Sequence, residues 1–239
     1  MAKIFITGSA DGLGQLTAVA LIEQGHEVVL HARDEARVQE ALRNAPGAKA
    51  ALAADLADPS AVKQLAEKIN QLGTFDAVIH NAGVYKAPAA QLFAVNTIAP
   101  YLLTCLIEKP KRLIYLSSGM HLGGKPRLEA FAHDVNSITY SDTKLHMLLL
   151  AKAVARMWPD ILSNAIDPGW VPTKMGGSGA PDSLQKGYET QVWLVNNNEF
   201  SGSYLHHKKD SSYNHVADDH ALQDRFLAAC EQFTGIKLN

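Results

Sequence analysis

Short apolar runs alternate along the chain with longer stretches in which apolar residues recur every three or four positions. The short runs predict buried β-strands, and the longer stretches predict amphipathic α-helices. Because such an alternation is typical of parallel βαβ units, we expect an α/β fold. The expected architecture is a doubly wound parallel sheet of about seven strands with helices on both faces.

The predicted elements end at residues that favour turns or helix termini. Gly25 closes the first helix, Asp58-Pro59 opens the third and Pro159 stops the fifth. The predicted strands cover residues 3–7, 27–31, 48–53, 75–80, 112–117 and 161–166, with a weaker one at 203–206. The predicted helices cover residues 12–24, 35–44, 60–71, 90–107, 140–158, 181–196 and 217–233.

The composition favours one domain over residues 1–239, because 47% of the residues are hydrophobic and can bury the core of such a sheet. The formal charge is −2, from 22 basic and 24 acidic residues, so we expect no nucleic-acid partner. Cys105 and Cys230 are expected to be inert thiols. We expect no leader and no bilayer-spanning stretch, which makes a cytoplasmic protein without a membrane partner the default.

A glycine-rich turn joins the first predicted strand to the first predicted helix. Its glycines allow a tight turn, leave room for a phosphate group and permit close helix packing. The N–H groups and the positive dipole end of the helix would then face the phosphates. The same glycines also fit a plain tight connection. The residues expected to hold a nucleotide here are Gly8, Ser9, Asp11, Gly12, Leu13 and Gly14.

The end of the second predicted strand indicates which dinucleotide would bind. In a doubly wound sheet this position contacts the adenosine ribose, where a carboxylate selects NAD and a guanidinium pairs with the 2′-phosphate of NADP. Arg33 follows Ala32 at this position and favours NADP over NAD. The alternative interpretation of Arg33 is a solvated charge at the entry of a helix.

A phenol and an amine are predicted one helical turn apart, because Tyr140 and Lys144 open a long helix. Ser118 follows the fifth predicted strand. The same Tyr-x-x-x-Lys spacing recurs at Tyr204 and Lys208, but a predicted strand would hold that pair too far apart to interact. We therefore expect Tyr140, Lys144 and Ser118 to form a proton-transfer site, although Ser118 also fits a polar strand terminus.

The electrostatics of this pair are sufficient for proton transfer. The pKa of a tyrosine must fall from about 10 to about 7 to exchange protons near neutrality, which corresponds to about 4 kcal/mol. One positive charge roughly 4 Å away supplies about 4 kcal/mol at an effective dielectric constant of 20. We expect Lys144, helped by the charge of a nicotinamide ring, to provide this stabilisation.

The motifs Gly8-x3-Gly12-x-Gly14, Asn81-Ala82-Gly83, Tyr140-x3-Lys144 and Pro168-Gly169 occur in this order. With Ser118, they resemble the short-chain dehydrogenase/reductase family over nearly the whole chain. The long connection from Ser118 to Tyr140 resembles the retinol-dehydrogenase-like and carbonyl-reductase branch, without a membrane anchor.

The resemblance implies one Rossmann-fold domain that binds NAD(P), a variable substrate loop at about residues 174–190, and a homodimer or homotetramer. It adds Asn96 to Ser118, Tyr140 and Lys144 as a catalytic residue. The further cofactor-binding residues that it implies are Asp55, Leu56, Asn81, Ala82, Gly83, Pro168, Gly169, Val171 and Thr173, together with Tyr140 and Lys144.

Our first functional hypothesis is an oxidoreductase that transfers a hydride between NADP(H) and a carbonyl compound or secondary alcohol, with Tyr140 as general acid/base and no metal. The substrate is expected to be a small apolar molecule. The alternative is a catalytically idle NADP-binding sensor or scaffold of the same fold, which the complete catalytic set disfavours. A sugar-nucleotide epimerase or dehydratase would resemble a longer chain with a separate substrate domain.

Overall fold

The computed structural model describes all 239 residues and contains one eight-stranded sheet. Its strands are β1 (Lys3–Ile6), β2 (Glu27–Ala32), β3 (Ala50–Ala53), β4 (Ala77–His80), β5 (Arg112–Leu116), β6 (Leu162–Asp167), β7 (Tyr204–His206) and β8 (Lys209–Asp210). The spatial order is β3, β2, β1, β4, β5, β6, β7, β8. The first seven strands are parallel and β8 is antiparallel to β7. The predicted fold class is confirmed.

Helices cover both faces of the sheet, which explains why the central strands are apolar on both sides. They are α1 (Gly12–Glu23), α2 (Glu35–Asn44), α3 (Pro59–Gln71), α4 (Ala89–Phe93), α5 (Ala99–Leu106), α6 (Ala130–His133), α7 (Tyr140–Met157), α8 (Leu184–Asn196) and α9 (His220–Thr234). Helices α1, α2 and α8 bury one apolar cluster against the sheet, and α3, α5 and α7 bury the other. Helix α9 packs on α7.

The strand order creates a crevice at the carboxyl ends of β1 and β4. Strand β1 lies between β2 and β4, so the chain leaves β1 in one direction along the sheet and later returns to its other side. Loops at such a reversal diverge and leave room for a ligand.

Three elements differ from the sequence prediction, and the first is the short helix α6, which was not expected. The short strand β8, which was not expected, raises the strand count from about seven to eight. The helix predicted at residues 90–107 is interrupted by a π-helical turn at Ala94–Ile98 between α4 and α5. Pro100 lies one turn beyond Asn96 and has no N–H to donate to the Asn96 carbonyl, which disfavours regular α-helical bonding there.

The stretch Ala89–Leu106 is 18 residues long and, by length and composition alone, apolar enough to cross a membrane. The expectation that no stretch reaches this length is therefore wrong. In the fold 67% of this segment is buried within the protein. Core helices of globular proteins commonly have this character, so the apolar composition is accounted for by packing against the sheet and α3.

The N-terminus of α7 is fixed by a buried carboxylate. Asp142 accepts hydrogen bonds from the backbone N–H groups of Lys125 (2.7 Å) and Thr139 (2.8 Å) and from Arg127 Nε (2.9 Å). Thr139 caps the helix by accepting a bond from the Asp142 N–H, which completes a capping box. Burial acts to raise the pKa of Asp142, but these donors hold it below its usual value. The carboxylate thus positions the turn that carries Tyr140.

Asp142→Asn is expected to lower the free energy of unfolding by about 2 kcal/mol, because a buried charged acceptor with three donors is lost. Since the folded pKa is depressed, the stabilisation is present above the ordinary aspartate pKa of about 3.9 and disappears as pH falls through the lowered value. Urea unfolding at pH 7 measures the difference. Asp160→Asn, at an exposed turn, is the control, and equal small effects of the two substitutions would contradict this account.

Candidate active site

A cleft of about 630 Å³ lies at the carboxyl ends of β1, β2 and β4. Most of the residues predicted to bind a dinucleotide line it. They are Gly8, Asp11, Gly12, Leu13, Arg33, Asp55, Leu56, Asn81, Ala82, Gly83, Tyr140, Lys144, Pro168 and Thr173. The cleft therefore connects the glycine turn with the start of α7.

The glycine turn is shaped for close contact. Gly8 and Gly12 have φ angles of +63° and +56°, a region that side chains disfavour. A Cβ atom on Gly14 would lie 2.3 Å from the carbonyl oxygen of Gly8 and 2.4 Å from Asn81 Nδ2. At Gly12 the nearest atom, in Thr173, would be 3.9 Å away, so the cleft is open there. Such a cradle fits a pyrophosphate at the N-terminus of α1.

Two polar side chains hold this turn in place. Asn81 Nδ2 donates to the carbonyl oxygens of Thr7 (2.9 Å) and Gly8 (3.0 Å). His31 Nδ1 accepts from the Gly8 N–H at 3.0 Å, while its Nε2 lies 3.0 Å from the Ala54 carbonyl oxygen. Burial lowers the pKa of His31 to about 4, so the ring is neutral and Nε2 donates. His31 was not predicted from the sequence, because a buried histidine in a strand carries no motif.

Several predicted residues do not line the cleft. Ser9 is fully buried, and its hydroxyl bonds the Ile6 carbonyl and the His31 N–H, so its side chain faces the core. Gly14 lies beneath the turn. Gly169 turns the chain at φ +79°, and Val171 packs against Gly187. Ser9, Gly14, Gly169 and Val171 are therefore positioned to shape the cleft walls, and their expected contact with a cofactor stays a prediction.

Charged groups surround the end of the cleft near β2. Arg33 is largely exposed and lies 3.6 Å from Asp34. Asp11 pairs with Arg37 at 2.7 Å and with Lys174 at 3.0 Å. Burial acts to raise the pKa of Asp11, but these cations lower it overall. Arg37, in the first turn of α2, and Lys174 also line the cleft and were not predicted from the sequence.

The start of α7 brings the predicted amine and phenol together. Lys144 Nζ lies 5.4 Å from the centroid of the Tyr140 ring and donates to the Leu116 carbonyl oxygen at 2.8 Å. In return, the Ser117 hydroxyl donates to the Lys144 carbonyl at 2.7 Å. These two bonds tie α7 to the end of β5. Ser118, the next residue, caps a short 3₁₀ turn and interacts with Tyr140.

Burial dominates the ionisation of this pair. Burial raises the pKa of Tyr140 to about 12. The interaction with the Ser118 hydroxyl acts to lower this pKa, and the charge of Asp167 acts to raise it. Burial lowers the pKa of Lys144 to about 8, against the raising effect of Asp167. At neutral pH, Tyr140 is a neutral phenol and Lys144 is mostly an ammonium. Burial is thus the largest influence on the pKa of Tyr140 in the chain itself, and the expected lowering by Lys144 together with a nicotinamide charge stays a prediction.

Asn96 lies in the π-helical turn and is almost fully buried. Its Oδ1 accepts from the Val84 N–H (2.8 Å), and its Nδ2 donates to the Val84 carbonyl (3.0 Å) and to Thr143 Oγ1 (3.2 Å). A Cβ atom on Gly83 would lie 3.4 Å from both Asn96 Oδ1 and Lys144 Nζ. Because Gly83 has no side chain, the Asn96 amide and the Lys144 amine both border the same small space beside the cleft.

Large apolar side chains are exposed on the segments that flank Tyr140. The Tyr85 ring packs edge-on against the Tyr140 ring at a centroid distance of 4.8 Å. The other exposed members of this apolar rim are Met120, Leu122, Trp170 and Met175. The Trp170 indole is fixed by donation to the Gly176 carbonyl at 2.8 Å. Exposed apolar surface beside a cleft is typical of a binding site for an apolar molecule.

The chain matches known proteins over this architecture. Residues 2–107 match the family model described as short chain dehydrogenase. The uncharacterized oxidoreductase AN7799 of Emericella nidulans is 42% identical, covering 99% of this chain and 98% of its own. The short-chain dehydrogenase chyC of Penicillium rubens is 40% identical, covering 100% and 99%. The chain therefore belongs to the short-chain dehydrogenase family.

Solved structures show the same fold. The crystal structure of an uncharacterized protein from Mycobacterium paratuberculosis has a TM-score of 0.86 at 23% identity, covering 100% of this chain and 95% of that one. A blue fluorescent protein from a metagenomic library, in complex with NADPH, has a TM-score of 0.68 at 22% identity and covers 86% and 95%. At these identities the likeness concerns the fold alone.

Gly14→Ala is expected to destabilise the protein by about 3 kcal/mol or more, because the new methyl group meets the Gly8 backbone and Asn81. For a chain of this size the thermal midpoint should then fall by about 6 °C or more. Gly12→Ala is the control. It meets no atom closer than 3.9 Å and incurs only the strain of a positive φ, about 1–2 kcal/mol. A smaller effect at Gly14 than at Gly12 would contradict the packing argument.

Proposed function

We propose that the protein transfers a hydride between NADP(H) and a carbonyl compound or secondary alcohol, with Tyr140 as the general acid/base. The observation that carries the proposal is the joint position of Tyr140 and Lys144. Both line the same cleft as the glycine turn, and Ser118 lies beside Tyr140. A nucleotide-binding turn and a proton donor on one cleft are the two requirements of this chemistry.

Each side chain has a distinct part in the proposed reaction. The bound cofactor supplies or accepts the hydride. Ser118 holds the substrate oxygen by a hydrogen bond, and Tyr140 donates a proton to that oxygen during reduction or removes one during oxidation. Lys144, held by the Leu116 carbonyl, places a positive charge beside the phenol and stabilises its ionised form when the proton leaves.

The ionisation of the site supports reduction of a carbonyl. A phenol with a pKa of about 12 is fully protonated at neutral pH and can donate its proton to an alkoxide, which is a far stronger base. The apolar rim around Tyr140 supports a substrate with a hydrophobic body. Cytoplasmic location and assembly into a dimer or tetramer stay predictions of the sequence.

Preference for NADP is supported by the charges beside β2. Arg33 projects into solvent at the edge of the cleft, and Arg37 lies in the first turn of α2. The Arg33 guanidinium is available to a 2′-phosphate, because its only ion pair is with Asp34 at 3.6 Å, whereas Arg37 is already paired with both Asp11 and Glu40. The fold neighbour that holds NADPH is consistent with this proposal.

Tyr140→Phe should fold and bind NADPH but reduce ketones about 10²- to 10⁴-fold more slowly, because only the proton donor is removed. Turnover is followed as NADPH oxidation with a panel of apolar ketones, aldehydes and quinones, and NADPH binding by fluorescence. Tyr101→Phe on α5, whose hydroxyl donates to the Ile236 carbonyl and does not line the cleft, is the matched control and should keep normal rates. Unchanged turnover in the Tyr140 variant would remove this residue from the mechanism. Tight NADPH binding without turnover of any compound by the wild type would favour the sensor hypothesis.

Arg33→Ala should weaken NADPH binding by about 10- to 100-fold and leave NADH binding nearly unchanged, because only NADPH carries the 2′-phosphate that a guanidinium would bind. Dissociation constants for both cofactors are measured by fluorescence titration. Arg43→Ala, at the exposed end of α2, is the matched control for loss of one positive charge. Equal weakening of NADPH and NADH would reject the assignment of Arg33.

A further inference from the structure

A carboxylate that no sequence motif marks lies on the same face of the sheet as Tyr140. Asp167 is the last residue of β6 and pairs in register with His206 of β7. Because side chains alternate along a strand, Asp167 shares a face with Ala165, which packs in the apolar cluster beneath α7. The carboxylate therefore lies on the face that α7 covers, next to Pro168 of the cleft.

Only one of the two Asp167 oxygens is hydrogen-bonded. Oδ1 accepts from the Gly169 N–H at 2.9 Å. Oδ2 has no hydrogen bond of normal geometry and no lysine or arginine partner; the nearest basic atom is His206 Nδ1 at 3.7 Å. That nitrogen lies closer, at 3.1 Å, to the carbonyl oxygen of Asp167 and is directed to it. Oδ2 thus retains acceptor capacity, and the Tyr204 hydroxyl is the neighbouring group that interacts with this carboxylate.

The Oδ2 atom is accessible from the substrate side. Gly119 follows Ser118 and is exposed, and a Cβ atom on it would lie 3.1 Å from Asp167 Oδ2. The glycine therefore leaves an opening beside the carboxylate, and 17% of the Asp167 side chain is exposed. The charge of Asp167 raises the pKa of both Tyr140 and Lys144, so it lies within electrostatic reach of the reacting groups.

A second polar group beside Asp167 also lacks a hydrogen bond of normal geometry. Tyr204 is 2% exposed, and its hydroxyl makes no hydrogen bond of normal geometry. Burial raises the pKa of Tyr204, and the charge of Asp167 and a side-chain interaction with its carboxylate raise it further, so the hydroxyl faces Asp167 without a hydrogen bond of normal geometry. Buried hydroxyl groups without partners are rare and require an explanation. A polar ligand group between these side chains would supply one.

We propose that Asp167 is a specificity-determining residue, whose Oδ2 accepts a hydrogen bond from a hydroxyl or N–H group adjacent to the substrate carbonyl. The inference rests on the proposed function and narrows its substrate to apolar ketones with a neighbouring donor, as in α-hydroxy ketones. The apolar rim holds the hydrophobic body, Tyr140 and Ser118 hold the carbonyl oxygen, and Asp167 holds the donor. A charge-assisted bond of this kind discriminates by about 10- to 100-fold.

Two matched ketones test the proposal. 2-Hydroxy-1-phenylethanone carries the donor, whereas 2-methoxy-1-phenylethanone has a similar shape and inductive effect without it. We expect the wild type to favour the hydroxy ketone in kcat/KM by about 10-fold or more. Asp167→Asn and Asp167→Ala should bring this ratio close to one. Because both variants also remove a charge that acts on Tyr140, the ratio between the two ketones is the readout, and not either rate alone. Asp210→Asn, which removes an exposed carboxylate on β8, should keep the wild-type ratio.

Binding without turnover separates this inference from the proposed function. In Tyr140→Phe loaded with NADPH, the two ketones are titrated by the change in NADPH fluorescence, with and without Asp167→Asn. Tighter binding of the hydroxy ketone that depends on Asp167 supports the inference even if neither ketone is reduced. Equal binding of the two ketones overturns it. So does an equal loss of kcat/KM for both, with a shifted pH profile, because Asp167 would then act only through Tyr140.

Discussion

The cleft depends on the close contact between the turn after β1 and the segment after β4. Asn81 bonds the carbonyl oxygens of Thr7 and Gly8, and a Cβ atom on Gly8 would lie 2.9 Å from the Ala82 Cα. Gly14 allows α1 to start directly against this turn. Since the approaches at Gly8 and Gly14 are both closer than a side chain permits, the shape of the cleft follows from where side chains are missing.

A second set of hydrogen bonds positions Tyr140, the proposed proton donor, at this cleft. Lys144 on α7 donates to the Leu116 carbonyl at the end of β5, and the Ser117 hydroxyl donates to the Lys144 carbonyl. Asp142 fixes the first turn of the helix from the other side. Tyr140 lies between these two anchors. Its position relative to the glycine turn is therefore fixed by the hydrogen bonds of the sheet and not by a loop. A rigid support of this kind suits a group that must lie within bonding distance of a reacting atom.

The layered fold and the order of the motifs could be predicted because each follows from local patterns: strand and helix periodicity, glycine placement and a four-residue helical spacing. The inward orientation of the Ser9 hydroxyl could not, since it depends on the contact with β2 across the sheet. Asp167 and Tyr204 were missed for a related reason. Alternation assigns their faces, but only the register of β6 with β7 brings them together. The π-helical turn at Asn96 could not be predicted either, because it also depends on the packing around Pro100.

Lys144 does not dominate the ionisation of Tyr140, because burial has the largest effect on the phenol and the charge of Asp167 further opposes its ionisation. Burial disfavours both the phenolate and the ammonium, and Asp167 favours the ammonium while disfavouring the phenolate. The site thus holds Tyr140 in its proton-donating form. A substrate donor bound to Asp167 would delocalise part of that negative charge, and the pKa of Tyr140 would fall as a result. Under the proposed specificity, recognition of the correct ketone and release of the Tyr140 proton are consequently coupled through one carboxylate.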